Sequence, residues 1–394
     1  MRGGNCIVSA QTRFWILISI VSISGFSQGM LLPLLAIILE QNGVASSVNG
    51  LHATGLYLGI LIASPFMEKP MQKLGFKPMI VIGGLLVFIS LALFPFWNAL
   101  WFWFILRVVI GIGDHMLHFG TQTWITTTAD QATRGRSIAL YGLSFAVGFS
   151  IGPLMTRLLV IHEALPFIIS SLLSMAVWSL ILLVKNNWPE QDRHTVQSTS
   201  SIGRFIQTGK LAWIAFLPGF GYGFLEATLH GTFPIYGLRI GHDVNMLSLI
   251  IPCFAIGSIV SQLPLGMLSD RLGRRQVLMI VIFLGSICFT LAAVFETSVI
   301  FLFVSFTLAG VFVGSLYSLG ISYMTDILPK SLLPAGNIMI GVAFSIGSIC
   351  GPFLGGLFIQ FVPNVSFFYM IVAMLVIILV TMYMKDEQDQ AFQQ

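Results

Sequence analysis

Charge is what this chain has least of. Asp, Glu, Lys and Arg make up 9% of its 394 residues while 56% are hydrophobic, against about 25% charged in an ordinary soluble domain. A soluble enzyme of this length would need polar surface that is not there, and open strands in lipid would leave backbone groups unsatisfied, so the composition points to membrane-spanning helices. Cysteine is also sparse. Cys6, Cys253, Cys288 and Cys350 fall in the amino-terminal tail or inside apolar runs, which excludes a disulfide framework or a cysteine metal cluster. No Gly-x-x-x-x-Gly-Lys-Ser/Thr loop occurs and the polar stretches are too short for a nucleotide-binding domain, which argues against ATP hydrolysis. No nucleophile, base and orienting group can be assembled from spacing, so no enzyme activity and no cofactor are expected. The apolar run after Arg2 and Arg13 continues to Leu39 without a small-residue cleavage pattern, and reads as a retained first helix, not a signal peptide.

What the chain has in abundance is long apolar runs. They lie at roughly 14–39, 50–67, 78–97, 99–125, 136–160, 164–184, 210–236, 245–268, 276–294, 298–323, 333–360 and 364–384, which predicts twelve helical spans across hydrocarbon roughly 30 Å thick. An even count returns both termini to one side. Placing that side in the cytoplasm leaves only Arg107, Arg157 and Arg239 of the 19 basic residues outside the internal segments, in keeping with the positive-inside bias. The longest polar interval, Lys185 to Gly209, reads as a linker between bundles at 1–184 and 210–394. Landmarks repeat across it: Gly75 answers Gly273, Pro153 answers Pro352 and Asp130 answers Asp326, at offsets of 198, 199 and 196. Such register implies parallel halves.

The densest charge is Gly266-Met-Leu-Ser-Asp270-Arg271-Leu-Gly273-Arg274-Arg275, between two uncharged runs and therefore at a membrane surface. Its pattern, Gly-x-Leu-Ser-Asp-Arg-x-Gly-Arg-Arg, resembles the signature loop between the second and third helices of each half of the major facilitator superfamily. The resemblance implies that Asp270 and Arg274 bond to neighbouring helix ends and fasten a cytoplasmic gate. In the first half Glu68, Gln72 and Phe76 depart from the pattern, which leaves the fastening there open. The fifth span, with Gly148, Gly152 and Pro153, resembles the Gly-x-x-x-Gly-Pro-x-x-Gly-Gly motif of the antiporter branch but ends in Thr156 and Arg157. The eleventh carries Gly347, Gly351, Pro352, Gly355 and Gly356 complete. Small residues four apart permit close helix approach and Pro bends a helix, so tight packing and a hinge are both open readings.

Polar groups inside these runs are functional candidates by default. Arg107, Gly111, Asp114, His115, His118 and Gln122 step by three or four along the fourth span, and so share a helical face. Arg107 with Gly111 and Gly113 resembles the family's Arg-x-x-x-Gly-x-Gly motif, linked there to proton movement. Asp114 reads either as a titrating carboxylate or as half of a structural pair with Arg107; a metal held by Asp114, His115 and His118 lacks further ligands and is not expected. Tyr222, Glu226 and His230 repeat the four-residue step in the seventh span; Glu226 is suited to carrying a proton or meeting a cationic substrate. Gln28, Tyr317 and Asn337 are weaker cavity candidates. The whole pattern is identified as an all-α, twelve-helix secondary transporter of that superfamily, acting as a monomer in a bacterial plasma membrane. The expected partners are a small-molecule substrate, protons and lipids, not nucleic acid. The expected action is proton-coupled efflux of an amphipathic or cationic compound, with sugar, metabolite or lipid-linked transport, or a non-transporting receptor or assembly factor, as alternatives.

Overall fold

A computed structural model describes residues 9–128, 134–189 and 201–391. Asp130 therefore lies outside the described residues. Among the described residues the regular structure is helical throughout. In chain order the helices are α1 (Ala10–Gln41), α2 (Ser46–Ala53), α3 (Gly55–Ala63), α4 (Glu68–Leu74), α5 (Phe76–Leu93), α6 (Leu100–Thr128), α7 (Arg134–Ile151) and α8 (Leu165–Ser179). There follow α9 (Ser201–Gly231), α10 (Phe233–Arg239), α11 (Val244–Leu272), α12 (Arg274–Val294), α13 (Val299–Val313), α14 (Leu316–Ile327), α15 (Leu333–Phe361) and α16 (Phe368–Ala391). Short 3₁₀ turns extend several of them, including Gly152–Val160 after α7 and Leu180–Leu183 after α8.

Where an expected span is broken, a local cause is visible. The second divides at Thr54, whose hydroxyl donates to the Leu51 carbonyl at 2.6 Å. The fifth tightens into a 3₁₀ turn at Gly152-Pro153, because proline removes a helical donor and clashes with the preceding turn. The seventh breaks at Thr232, with Pro234 just inside α10, and bends earlier at Ala212, whose φ of −126° leaves the helical region. The tenth opens between α13 and α14, where the freed Gly314 carbonyl accepts from Ser258 of α11 at 2.9 Å. Among the described residues nine helical stretches are long and apolar enough to cross a membrane, and Phe368–Met384 is a shorter apolar helix. The expected spans outside that set are the second, split into helices of 8 and 9 residues, and the seventh, bent at Ala212 and broken at Thr232.

The chain groups into two compact units: the described residues of Met1–Leu31 and Gly55–Val196, and those of Leu32–Thr54 and Gln197–Gln394. In the first, Ile16, Leu17, Phe76, Met79, Ile80 and Trp124 are buried where α1, α5 and α6 meet. In the second, Phe233, Phe289, Phe306 and Phe368 form a buried aromatic centre. Side chains such as Val160, Leu263 and Ile300 are about three-quarters exposed, a surface suited to lipid and not to water.

Candidate functional site

Arg107, Asp114, His115 and His118 all lie on α6, but they face different neighbours. Arg107 and Asp114 are both fully buried. The Arg107 guanidinium donates to the Leu31 carbonyl of α1 at 3.3 Å, whereas the Asp114 carboxylate accepts from Ser24 of α1 at 2.7 Å. Their expected shared face is thus divided along its length. Gly111, between them, has no room for a side chain, since a Cβ there would overlap the Leu56 carbonyl of α3.

Ser24 stands at the centre of a polar cluster. Its Oγ is also 3.1 Å from His118 Nε2, and Gln28 Nε2 lies 3.5 Å from both Ser24 Oγ and His118 Nε2. The other ring nitrogen, His118 Nδ1, lies 2.6 Å from the Tyr141 hydroxyl of α7, and Phe145 packs edge-on against the imidazole at 5.1 Å. Three helices therefore deliver one carboxylate, two hydroxyls, an amide and an imidazole to one place inside the first unit. His115 turns elsewhere, to Ser64 Oγ at 3.0 Å. Gln122 is exposed, one turn beyond the cluster. Tyr141 was not legible as a site residue because it sits in a different apolar run, and only folding brings α7 onto α6.

In the second unit Tyr222 of α9, Tyr317 of α14 and Phe344 of α15 form a ring triplet, with centroid separations of 5.5 to 6.3 Å. Glu226 follows Tyr222 by one turn and is partly buried. His230, buried, uses Nδ1 to bond the backbone carbonyl of Glu226 at 2.8 Å, so its link to that residue runs through the main chain. Asn337 lies in the first turns of α15 and is exposed, apart from the triplet.

The charged loop sits where α11 meets α12. Gly273 closes α11 with φ +94°, a left-handed conformation that a residue with a Cβ resists. Arg274 then reaches the carboxy-terminal end of α14, donating to the Ser322 carbonyl at 2.6 Å and Thr325 Oγ1 at 3.2 Å, and pairing with Asp326 at 3.2 Å and Asp270 at 3.4 Å. The last turn of a helix carries negative potential, so a guanidinium fits there. Arg275 donates to the Met382 carbonyl of α16. Gly266 and Arg271 make no close packing: a Cβ at Gly266 would meet nothing, and Arg271 is exposed.

The first-half loop is built on the same plan with other groups. Gly75 has φ +87°. Lys77 donates to the Leu182 and Val184 carbonyls at 2.9 and 2.7 Å, so Lys77 with Val184 answers Arg275 with Met382 at a constant offset of 198. Phe76 answers Arg274 and Trp124 answers Ser322 at that same offset; here the contact is a ring stack, 5.4 Å between centroids at 16°. Asn186 adds a clamp, accepting from Lys77 N at 3.0 Å and donating to the Leu74 carbonyl at 2.8 Å. Glu68 and Gln72 both lie on α4, Glu68 in its first turn.

Both glycine-proline stretches are packing surfaces. Gly148 and Gly152 let the end of α7 meet α1 at Ser22 and Gly29, with Pro153 buried beside them. Gly347, Gly351 and Gly355 seat α15 against Phe220, Phe224, Thr228 and Thr232 of α9–α10, and Gly356 meets Ser46 and Gly50 of α2. Pro352, buried, lies inside the continuous helix α15 within that contact.

A family model described as Major Facilitator Superfamily matches residues 17–246 and 215–393. The MFS-type transporter YfkF of Bacillus subtilis (strain 168) is 51% identical over 359 residues, 91% of this chain and 92% of the relative. Multidrug resistance protein 2 of the same organism is 22% identical over 396 residues, 97% of each. Among solved structures, the nucleoside transporter NupG superposes with a TM-score of 0.76 at 15% identity, over 94% of this chain and 98% of its own. A bacterial homolog of the lysosomal transporter Spinster gives 0.71 at 15%, over 87% and 81%. The chain is a multi-pass cell-membrane transporter and not an enzyme, and it belongs to the Major Facilitator Superfamily.

Proposed function

We propose that this transporter exports a small amphipathic or cationic compound in exchange for protons, by alternating access. The observation that carries the reading is Asp114: a fully buried carboxylate whose bond is to a neutral hydroxyl within a hydroxyl–imidazole cluster. A change of protonation at that enclosed carboxylate alters its bonding to Ser24 and hence the preferred packing of α1 on α6. Glu226, beside the ring triplet, supplies a second acid; aromatic faces and a carboxylate together favour a cation with apolar bulk. Multidrug resistance protein 2, similar along the full length, supports the efflux direction. Twelve crossings with both termini in the cytoplasm, bundles at 1–184 and 210–394 and a linker at 185–209 complete the reading, as does action by a single chain. Asp270, Arg274 and Arg275 would fasten the cytoplasmic end when the carrier opens outward.

Energised everted vesicles test it. Adding a cationic or amphipathic compound should release protons from the vesicle interior, and Asp114→Asn should abolish the release while the protein still accumulates in the membrane. Proton release that is absent with every compound in the native protein, or that persists undiminished in Asp114→Asn and Glu226→Gln together, refutes the coupling.

A further inference from the structure

The bonds around Ser24 form a continuous line from Asp114 to Tyr141. Asp114 Oδ1 is 2.7 Å from Ser24 Oγ, Ser24 Oγ is 3.1 Å from His118 Nε2, and His118 Nδ1 is 2.6 Å from the Tyr141 hydroxyl. Hydroxyls and a neutral imidazole each carry one donor and at least one acceptor site. The direction of this line is therefore set by one end.

When Asp114 is ionised, Ser24 donates to it. Ser24 Oγ then accepts from His118 Nε2–H, and His118 Nδ1 accepts from the Tyr141 hydroxyl. When Asp114 is protonated, its O–H donates to Ser24, Ser24 donates to His118 Nε2, and His118 Nδ1–H donates to the Tyr141 oxygen. The Tyr141 proton displaced by that reversal has an acceptor ready, because the His118 carbonyl lies 3.5 Å from the hydroxyl. Gln28 Nε2, at 3.5 Å from Ser24 Oγ, donates to the lone pair that this hydroxyl keeps free in both states. Each polar atom in the line is thus served in both states, and only the tautomer of His118 changes.

We propose that Ser24, His118 and Tyr141 are a proton path serving Asp114, leading toward the end of the bundle where α6 gives way to α7. This rests on the proton-coupled reading above and adds the route by which the proton enters or leaves. His118 is four residues closer than Asp114 to the end of α6, about 6 Å along the axis, and Tyr141 lies in the second turn of α7. Under the proposed topology that end is cytoplasmic. In one passage Asp114 gives its proton to Ser24 Oγ as Ser24 gives its own to His118 Nε2. His118 gives up the Nδ1 proton to Tyr141, and Tyr141 passes its proton to water. One proton leaves the carboxylic acid, one reaches water, and the imidazole ends as the other neutral tautomer. The charged and titratable groups facing the line are Asp114 and, on the same helix, His115, which is turned to Ser64, and Arg107, which is turned to the Leu31 carbonyl. Among the described residues, α1 and α7 bring Ser24, Gln28, Tyr141 and Phe145 to the line.

The purified full-length protein in proteoliposomes decides the matter. Ser24→Ala and Tyr141→Phe should each slow proton translocation by about tenfold or more, with retained ligand-induced thermal stabilisation by a tetraphenylphosphonium probe. Ser24→Thr, which restores the hydroxyl, should recover most of the rate. Ser171→Ala removes a hydroxyl bonded to the Phe88 carbonyl and should leave translocation unchanged. Imidazole ¹⁵N shifts should show His118 passing from one neutral tautomer to the other as pH is lowered, and held in one tautomer throughout in Asp114→Asn. Folded Ser24→Ala and Tyr141→Phe proteins that move protons at the native rate would overturn the path. If the native protein moves no protons with any compound, the coupling reading fails, and a His118 tautomer that does not respond to pH removes the path as well.

Discussion

A buried arginine with its charge turned to a carbonyl is the most exacting single residue in this chain. Arg107 is fully enclosed and donates to Leu31 O, so truncation leaves a buried acceptor unserved and a void the size of a long side chain. Arg107→Ala should destabilise the detergent-solubilised protein by about 3 kcal/mol, read as a lowered unfolding midpoint. Lys in its place keeps the charge but not the planar fork, and should recover less than half of that loss. Gly111 is a second such position: Gly111→Ala forces Cβ into the Leu56 carbonyl and should cost about 1–3 kcal/mol by the same measurement, because backbone and not a flexible side chain must give way. Neither cost was legible from spacing, which placed both residues on one face but did not say what that face meets.

At the scale of elements, the two loops that close the second and third helices of each half are alike in geometry and different in chemistry. In the second half Arg274 links α12 to the end of α14 through exposed acids and a carbonyl. In the first half Phe76 and Trp124, both buried, do the same by stacking. Ion pairs weaken with salt and apolar contacts do not. Arg274→Ala should therefore lower thermal stability by an amount that shrinks as salt is raised from low to about 0.5 M. Phe76→Ala should lower it by about 3 kcal/mol at any ionic strength. Asp270 is two-thirds exposed, and Asp270→Asn should change the midpoint by less than about 1 kcal/mol. Phe76 and Gln72 looked in the sequence like a decayed motif; the structure shows Phe76 in a replacement contact, with Asn186 and Lys77 supplying the polar part.

At the scale of the molecule, the carboxy-terminal third of α1 and all of α2 group with the second half of the chain. Within that unit Glu40 pairs with Arg239 at 2.7 Å across 199 residues, a separation that matches the repeat, so equivalent helix ends meet. Gly356 and Gly50 pack backbone to backbone nearby. Glu40 is largely shielded while Arg239 is partly exposed, which limits the pair to about 0.5–1 kcal/mol. Glu40→Arg or Arg239→Glu alone should speed unfolding and expose residues 32–54 to hydrogen exchange, and the double exchange of charges should restore protection. Equal protection in all three proteins would show that the glycine contact alone holds the segment.

Composition and periodicity by themselves determined that this is an all-helical membrane protein with a repeated half, because an apolar run long enough to cross lipid has few other ways to satisfy its backbone. They also marked Asp114, Glu226 and Arg274, since charge in or beside such runs is conspicuous. Which groups those residues meet was decided only by the tertiary structure. Ser24, Tyr141, Ser322 and Met382 are ordinary residues in ordinary helices, and a hydrogen-bond partner on another helix leaves no trace in spacing along either one. The division of α1 between Leu31 and Leu32 falls beside Pro33, which the apolar run absorbs without a break; which body each end joins was decided by residues far along the chain.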